Sequence, residues 1–247
     1  EISGSALLSS PYVNWYGRDY ADEEKGAVMF NYSAAGFETS FEGTSLSATM
    51  YGADSGEGYG NTFLSVFVDG EEKVLELSDG NGDYVLCEGL DAGRHTVKVV
   101  KRTELQFTSA GLVSLETDGH FLPAPERPEL KFEFFGDSIT CGYGAISEIG
   151  EKGFKTSTED ALSTYAYLTA EHFGAQSNFI CYSGWYISKS VTGTTDGDIG
   201  AVYDKYSKDN RAAWDFASYT PDVVIVNIGA NDENYITHCR MRQLDGI

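Results

Sequence analysis

The sequence predicts two domains, an antiparallel β-sandwich followed by an α/β domain that contains a parallel sheet. Up to about residue 120, short strand-like runs alternate with Gly, Asp and Asn, as in all-β domains. Residues 121–129 contain three of the five prolines of the chain, which favours a stiff linker. From residue 130 onward, strand-like runs are separated by a helical pattern, as in α/β domains. We therefore place the sandwich at 1–120, the linker at 121–129 and the α/β domain at 130–247.

The predicted sandwich strands are short apolar or alternating runs bounded by turn-forming residues. Asp69-Gly70 is a hairpin-turn dipeptide, because both residues tolerate the positive φ of a tight turn. The predicted strands occupy residues 36–43, 44–51, 62–68, 73–77, 83–87 and 94–100. Strands this short and this frequent, without long helical periods, indicate antiparallel sheets.

The second domain begins with a strand at 131–135, and further strands are predicted at 178–181 and 223–228. Between the first two lies a helical pattern at 159–173, which Gly174 ends. The run at 223–228 is apolar on both faces. Such a strand is typical of a parallel sheet whose two faces are covered by helices.

Three residues that fit acyl transfer follow the ends of these strands: Ser138, Gly184 and Asn231. Ligands collect at the carboxyl ends of parallel strands, so we expect the three residues to meet at one edge. Ser138 is the candidate nucleophile. Its N–H, the Gly184 N–H and the Asn231 amide are candidate oxyanion donors, and a side chain at 184 would obstruct the backbone. Each residue alone also fits an ordinary turn or cap, so the prediction depends on their conjunction.

These residues also resemble a known family. Gly136-Asp137-Ser138 resembles the first block of the SGNH (GDSL-type) hydrolases, Gly184 their second block, and Gly229-Ala230-Asn231-Asp232 their third. More narrowly, the chain resembles carbohydrate esterase family 2 over nearly its whole length. The runs that carry this likeness include 41–46, 67–70, 94–97, 140–144, 214–216 and 220–224.

The resemblance implies a jelly-roll domain ahead of a flavodoxin-like SGNH domain. It also implies a secreted, cofactor-free serine esterase that removes O-acetyl groups from plant-wall polysaccharides such as xylan or glucomannan. By the same resemblance Ser138 is the nucleophile, and Ser138, Gly184 and Asn231 form the oxyanion hole. We interpret Asp137 as holding the turn.

Trp185 and Tyr186 are candidate substrate-binding residues, because they adjoin Gly184. Their rings either form a wall on which a sugar stacks or fill the core, and the sequence leaves both alternatives open.

Composition excludes several classes of partner. The net charge of −21 would repel nucleic acid and anionic membranes. No apolar run is long enough for a membrane helix. The four cysteines contain no CxxC pair, so no metal site is expected. Cys141 and Cys181 either form a disulfide or remain free, since spacing alone specifies no pairing.

The sequence departs from the family pattern in one respect, the catalytic base. The family places its catalytic His in an Asp-x-x-His or similar motif well beyond the third block, and no Asp-x-x-His occurs after Asp232. Of the four histidines, His238 alone lies near a strand end, and it would have to fold straight back over the site. We therefore expect a chain shortened at its C-terminus, with an incomplete sheet. Such a chain would self-associate or be completed by a second chain.

The sequence leaves two alternatives to a carbohydrate esterase. A carbohydrate-binding protein with little or no catalysis would fit the missing His, and a sugar-binding test beside an ester assay separates the two. A lipid or thioester hydrolase on the same scaffold is the other alternative. The polar, aromatic-flanked strand ends argue against it.

Overall fold

The computed structural model of the protein describes residues 1–54, 56–188, 198–233 and 236–237. Within these ranges it contains two antiparallel sheets of six strands each, followed by a parallel sheet of three strands. The first antiparallel sheet contains β1 (Ile2–Ser3), β3 (Tyr20–Asp22), β4 (Ala27–Met29), β6 (Leu46–Asp54), β9 (Gly80–Cys87) and β11 (Thr108–Thr117). The second contains β2 (Val13–Tyr16), β5 (Gly36–Gly43), β7 (Thr62–Val68), β8 (Glu71–Leu77), β10 (Gly93–Lys101) and β12 (His120–Leu122).

The strand order shows that each sheet is assembled from distant parts of the chain. The first sheet runs β3-β4-β11-β6-β9, with β1 paired to β11, and the second runs β12-β5-β10-β7-β8, with β2 paired to β5. Apolar side chains from both sheets are buried in one cluster. That cluster continues into the parallel-sheet domain through Ile180, Tyr182 and Trp185. A second buried cluster lies mainly in the parallel-sheet domain and includes Ala34 and Val100 of the sandwich, so apolar packing crosses between the domains in both clusters.

The hairpin predicted at Asp69-Gly70 is confirmed. β7 and β8 pair antiparallel up to Val68 and Glu71, and the two turn residues have φ values of 50° and 92°. Positive φ at both central positions matches the right-handed twist of the flanking strands. The Asp69 carboxylate also accepts the Thr96 N–H at 2.8 Å, which ties the turn to β10.

The proline-rich segment follows the last sandwich strand directly. β12 pairs with β5, so Phe121 and Leu122 are still part of the sandwich sheet, although the sequence places them in the linker. Residues 123–128 have no regular secondary structure. The carbonyl of Pro125 accepts a bond from the Asn14 side chain at 2.7 Å, and the Pro128 carbonyl accepts one from Gln176 at 2.5 Å. These bonds attach the segment to both domains.

The parallel sheet has the order β14-β13-β15, with β13 (Lys131–Gly136) between β14 (Gln176–Cys181) and β15 (Val223–Asn227). Gly136 is in register with Cys181 on one side and with Asn227 on the other. The three predicted strands are thus confirmed as parallel neighbours, and their carboxyl ends lie at one level.

The helix predicted at 159–173 is wrong in its first part. A short 3-10 turn covers Ala161–Ser163, and α2 covers only Tyr165–His172. The Asp160 carboxylate accepts the Leu162 N–H at 3.1 Å, and the Thr164 hydroxyl accepts the Tyr167 N–H at 3.3 Å. Such side chains offer the backbone an alternative to helical bonding, so the helix starts only after the second cap.

Much of the third strand of the parallel sheet is left uncovered by the other described residues. Val223, Val224 and Val226 of β15 are 40%, 52% and 63% exposed. β15 pairs with β13 along one edge, and Ile225 of this strand packs against a buried apolar cluster. The three valines, by contrast, are largely exposed.

A buried ion pair joins the two domains. Arg18 follows β2 of the sandwich and is 1% exposed, and its guanidinium lies 3.4 Å from the Glu133 carboxylate of β13. The guanidinium also donates to the Lys205 carbonyl, while Glu133 accepts the Asn178 side-chain N–H at 3.0 Å. Burial raises the pKa of Glu133, and the charge of Arg18 acts against that shift.

Replacing Arg18 by Ala should lower the free energy of unfolding by about 3–5 kcal/mol, because it leaves a buried carboxylate without its partner. Urea denaturation followed by circular dichroism measures this change. Lys25→Ala is the matched control, because the Lys25–Asp22 pair at 2.6 Å is partly exposed. Its removal should cost about 0–1 kcal/mol. Equal effects of the two variants would contradict the role of the buried pair.

Candidate active site

The candidate nucleophile lies in a tight turn between β13 and α1 (Ser138–Cys141). Asp137 is the N-cap residue, and its buried carboxylate accepts the Ile139 N–H at 3.1 Å. Burial raises the pKa of Asp137, while its backbone hydrogen bonds lower it. A Cβ on Gly136 would lie 1.9 Å from the Thr140 hydroxyl oxygen, so only glycine lets the turn close this tightly. Asp137 thus holds the turn, and Ser138 is left partly exposed.

The second strand end forms the loop that carries Gly184. After β14, the Trp185 N–H donates to the Tyr182 carbonyl at 3.3 Å, and Gly184 has a φ of +79°. A Cβ on Gly184 would meet nothing within 4 Å. In the free protein, glycine is therefore needed at 184 for the positive φ. The expectation from the sequence was that a side chain would obstruct the backbone there.

The third strand end anchors this second loop. Residues 230–233 are helical, and the Asn231 side-chain N–H donates to the Trp185 carbonyl at 2.6 Å. The Asp232 carboxylate accepts the N–H groups of Ile187 at 2.9 Å and Ser188 at 2.8 Å. An amide group carries two N–H donors, so the bond to Trp185 leaves one for a substrate oxygen. Asn231 and Asp232 together fix the loop that follows Gly184.

Ser138 and Gly184 line one open cleft of about 330 Å³. The other lining residues come from both domains: Glu57, Tyr59, Gln106, Phe107, Tyr143 and Ser183. Asn231 is connected to this cleft through its bond to the residue after Gly184. The loops after β13 and β14 therefore line one cavity, and the segment after β15 is hydrogen-bonded to the second of these loops.

An aromatic cluster, formed by Tyr59, Phe107, Tyr143 and Phe154, flanks the cleft. The Tyr143 and Phe154 rings stack at 3.9 Å with an interplanar angle of 12°. Phe107 lies 4.6 Å from Phe154 and 4.9 Å from Tyr59, measured between ring centroids. Tyr143 is 46% exposed, so one aromatic surface remains open beside Ser138. No motif of the sequence indicates this cluster, because its members are far apart in the chain and belong to two domains.

The two aromatic residues predicted to bind substrate, Trp185 and Tyr186, do not line this cleft. Trp185 is 7% exposed and stacks on Tyr182 at 4.0 Å, and Tyr186 is 3% exposed. Trp185 belongs to the buried cluster of the sandwich. Of the two alternatives that the sequence left open, core filling therefore matches their burial. Sugar stacking on these rings stays a prediction.

No histidine in the described ranges lines the cleft that holds Ser138. His95 bonds Asp69 at 2.6 Å and the Asp91 carbonyl at 2.8 Å, and its carboxylate partner raises the pKa of its ring. His120 is on the exposed strand β12, and His172 ends α2. His238 lies outside the described residues.

The described residues also bear on the cysteines, on metal binding and on membrane helices. Cys141 and Cys181 are buried free thiols. The described part of the chain contains no group of three or more side chains suited to hold a metal ion. None of its helices is long and apolar enough to cross a membrane.

Two family models match successive parts of the chain. The model described as the N-terminal domain of carbohydrate esterase 2 matches residues 15–125, and the model of GDSL-like lipases and acylhydrolases matches residues 132–243. The chain is also 32% identical over 227 residues to the cellulase/esterase CelE of Acetivibrio thermocellus. That alignment covers 85% of this chain and 27% of the relative.

A second relative is an acetylxylan esterase / glucomannan deacetylase of Cellvibrio japonicus, which is 30% identical over 229 residues, 91% of this chain and 62% of that protein. The chain thus spans less than two thirds of the length of either relative. A solved family two carbohydrate esterase from Clostridium thermocellum, in complex with cellohexaose, superposes with a TM-score of 0.81 at 27% identity. This match covers 94% of this chain and 73% of that one. The chain thus carries two matched domains in succession, the N-terminal domain of carbohydrate esterase 2 and a GDSL-like lipase/acylhydrolase domain.

Proposed function

We propose that this protein is a carbohydrate esterase that removes O-acetyl groups from plant cell-wall polysaccharides such as xylan and glucomannan. The observation that carries the proposal is the shared cleft, in which Ser138 and Gly184 lie beside aromatic side chains from both domains. The names of the relatives, an acetylxylan esterase / glucomannan deacetylase among them, support the substrate class.

The proposed reaction proceeds through an acetyl-enzyme. The Ser138 hydroxyl attacks the acetyl carbonyl carbon, and the resulting oxyanion is held by the N–H groups of Ser138 and Gly184 and by the Asn231 amide. The sugar oxygen leaves with a proton. Water then attacks the acetyl-enzyme and releases acetate. Each proton passes through a general base, which the family likeness assigns to a histidine.

The helix behind Ser138 contributes little to this charge stabilisation. α1 has four residues, so few peptide dipoles are aligned behind the serine. The developing negative charge must therefore be stabilised by individual N–H donors. This makes the position of Gly184 and Asn231 decisive for the rate.

We also propose a role for the aromatic cluster in substrate binding. Sugar rings present apolar C–H faces, and the exposed Tyr143 ring offers a flat apolar surface next to Ser138. A neutral polysaccharide is compatible with the strongly acidic chain, whose net charge is −21.

The remaining parts of the proposal concern the whole protein. We propose secretion, because plant-wall polysaccharides are extracellular substrates. We further propose that the sandwich, which β12 extends to Leu122, is a jelly roll, that 123–129 is a linker, and that the domain after it has a flavodoxin-like arrangement. The exposed valines of β15 support self-association or pairing with a second chain.

Ser138→Ala should abolish esterase activity on aryl acetate and acetylated xylan in the full-length protein, because the attacking hydroxyl is lost. The melting temperature should stay close to that of the wild type, since the turn depends on Gly136 and Asp137. Ser157→Ala, at an exposed serine, is the control and should be fully active. A Ser138→Ala variant as active as the wild type would remove this serine from the mechanism. A wild type that binds acetylated xylan without hydrolysing it would favour the carbohydrate-binding alternative.

Asn231→Ala should lower kcat by about 10²–10³, with a smaller change in KM, because its amide stabilises charge that develops in the transition state. Steady-state kinetics on aryl acetate measures both constants. Asn81→Ala, at an exposed amide of the sandwich, should change neither. An effect of Asn231→Ala confined to KM would instead identify a ground-state contact.

Tyr143→Ala should raise KM for acetylated xylan by about 3- to 10-fold, since an aromatic contact contributes roughly 0.5–1.5 kcal/mol. Its kinetics on ethyl acetate should be nearly unchanged, because that substrate has no ring to stack on Tyr143. Tyr203→Ala removes a tyrosine of similar exposure, 49%, that does not line the cleft. Equal KM values for Tyr143→Ala and Tyr203→Ala on xylan would exclude the stacking role.

A further inference from the structure

A buried carboxylate of the sandwich domain reaches the loop that carries Gly184. Glu104 lies in the connection between β10 and β11 and is 0% exposed. One of its carboxylate oxygens accepts the Ser183 N–H at 2.7 Å, and the other accepts the Ser183 hydroxyl. Both oxygens therefore hold the residue directly before Gly184.

Glu104 is in turn fixed by a second buried carboxyl group from the α/β domain. The Glu104 N–H donates to Glu159 Oε2 at 3.1 Å, and Glu159 is 1% exposed. The other oxygen of Glu159 is buried and accepts no hydrogen bond from the described residues. Burial, together with the charge of Glu104, raises the pKa of Glu159 well above its usual range.

Further polar groups complete this cluster. The Lys101 ammonium donates to the Thr103 carbonyl at 2.6 Å and to the Thr108 hydroxyl at 3.0 Å, and it interacts electrostatically with both carboxyl groups. Burial raises the pKa of Glu104, and the nearby Cys141 thiol at the end of α1 acts against that shift. The cluster therefore connects the sandwich to the serine turn as well as to the Gly184 loop.

We propose that Glu104 is a positioning residue for the oxyanion hole, held in place by Glu159. The inference rests on the proposed function of Ser138 and Gly184. The Gly184 N–H belongs to the peptide group that follows the Ser183 Cα, so anchoring Ser183 at two atoms restricts where that N–H lies. A displacement of about 1 Å in such a site costs on the order of 10² in rate. The sandwich domain thereby contributes to the reaction without touching the reacting atoms.

The test compares Glu104→Gln, Ser183→Ala and Glu159→Gln in the full-length protein. Glu104→Gln removes the acceptor of one Ser183 bond, so kcat on aryl acetate should fall by about 10- to 100-fold with KM within about 3-fold of the wild type. Ser183→Ala removes only the hydroxyl bond and should lower kcat by about 3- to 10-fold, since one hydrogen bond contributes roughly 0.5–1.5 kcal/mol.

Glu159→Gln is the matched control, because its amide oxygen can still accept the Glu104 backbone N–H that Glu159 accepts in the wild type. Its kcat should stay within about 3-fold of the wild type, whereas Glu159→Ala should resemble Glu104→Gln. Backbone amide exchange at Ser183 and Gly184, measured by mass spectrometry, should be faster in Glu104→Gln and Ser183→Ala and unchanged in Glu159→Gln. This readout does not depend on catalysis.

The outcomes separate this inference from the proposed function. If the wild type hydrolyses no ester, the proposed function fails, and faster exchange in Glu104→Gln still supports the anchoring of the loop. If Glu104→Gln does not fold, Ser183→Ala decides through its kcat and exchange. Folded variants with wild-type kcat and wild-type exchange would overturn the inference.

Discussion

The site depends on the register of three parallel strands. Gly136 pairs with both Cys181 and Asn227, so the loops after β13, β14 and β15 leave the sheet at the same level. The serine turn, the Gly184 loop and the Asn231 segment are therefore neighbours by virtue of backbone pairing alone. A shift of one residue in either pairing would reverse the faces of a strand and separate these loops.

The interface between the two domains completes the cleft, because the parallel-sheet domain provides only part of the cleft wall. The strand ends of the sheet carry the proposed nucleophile and oxyanion donors, while Tyr59 and Phe107 of the sandwich supply part of the cleft wall. The interface is polar as well as apolar, because Arg18 pairs with Glu133 and Glu104 holds Ser183. Buried charges of this kind destabilise a protein unless each is paired, so they favour one relative placement of the two domains. A fixed placement is what a cleft between domains requires.

Local patterns predicted the strands, the hairpin at Asp69-Gly70 and the strand ends that carry Ser138, Gly184 and Asn231. Local patterns did not specify the features that depend on contacts between residues far apart in the chain. For Trp185 they left sugar stacking and core filling open, and the packing of its ring on Tyr182 in the buried cluster matches core filling. The start of α2 was misplaced because Thr164 caps it. The roles of Tyr143 and Glu104 depend on residues of the other domain, which no periodicity or motif of the sequence connects.

The central claim is that Ser138 receives the acetyl group from a carbohydrate ester. The most direct measurement is mass spectrometry of the full-length protein after rapid acid quenching during turnover of an acetyl ester. The account predicts that the mass of one acetyl group is added to the peptide that contains Ser138, and that the addition is absent in Ser138→Ala. An acetyl group on another residue, or ester hydrolysis without any acetylated protein in the wild type, would contradict it.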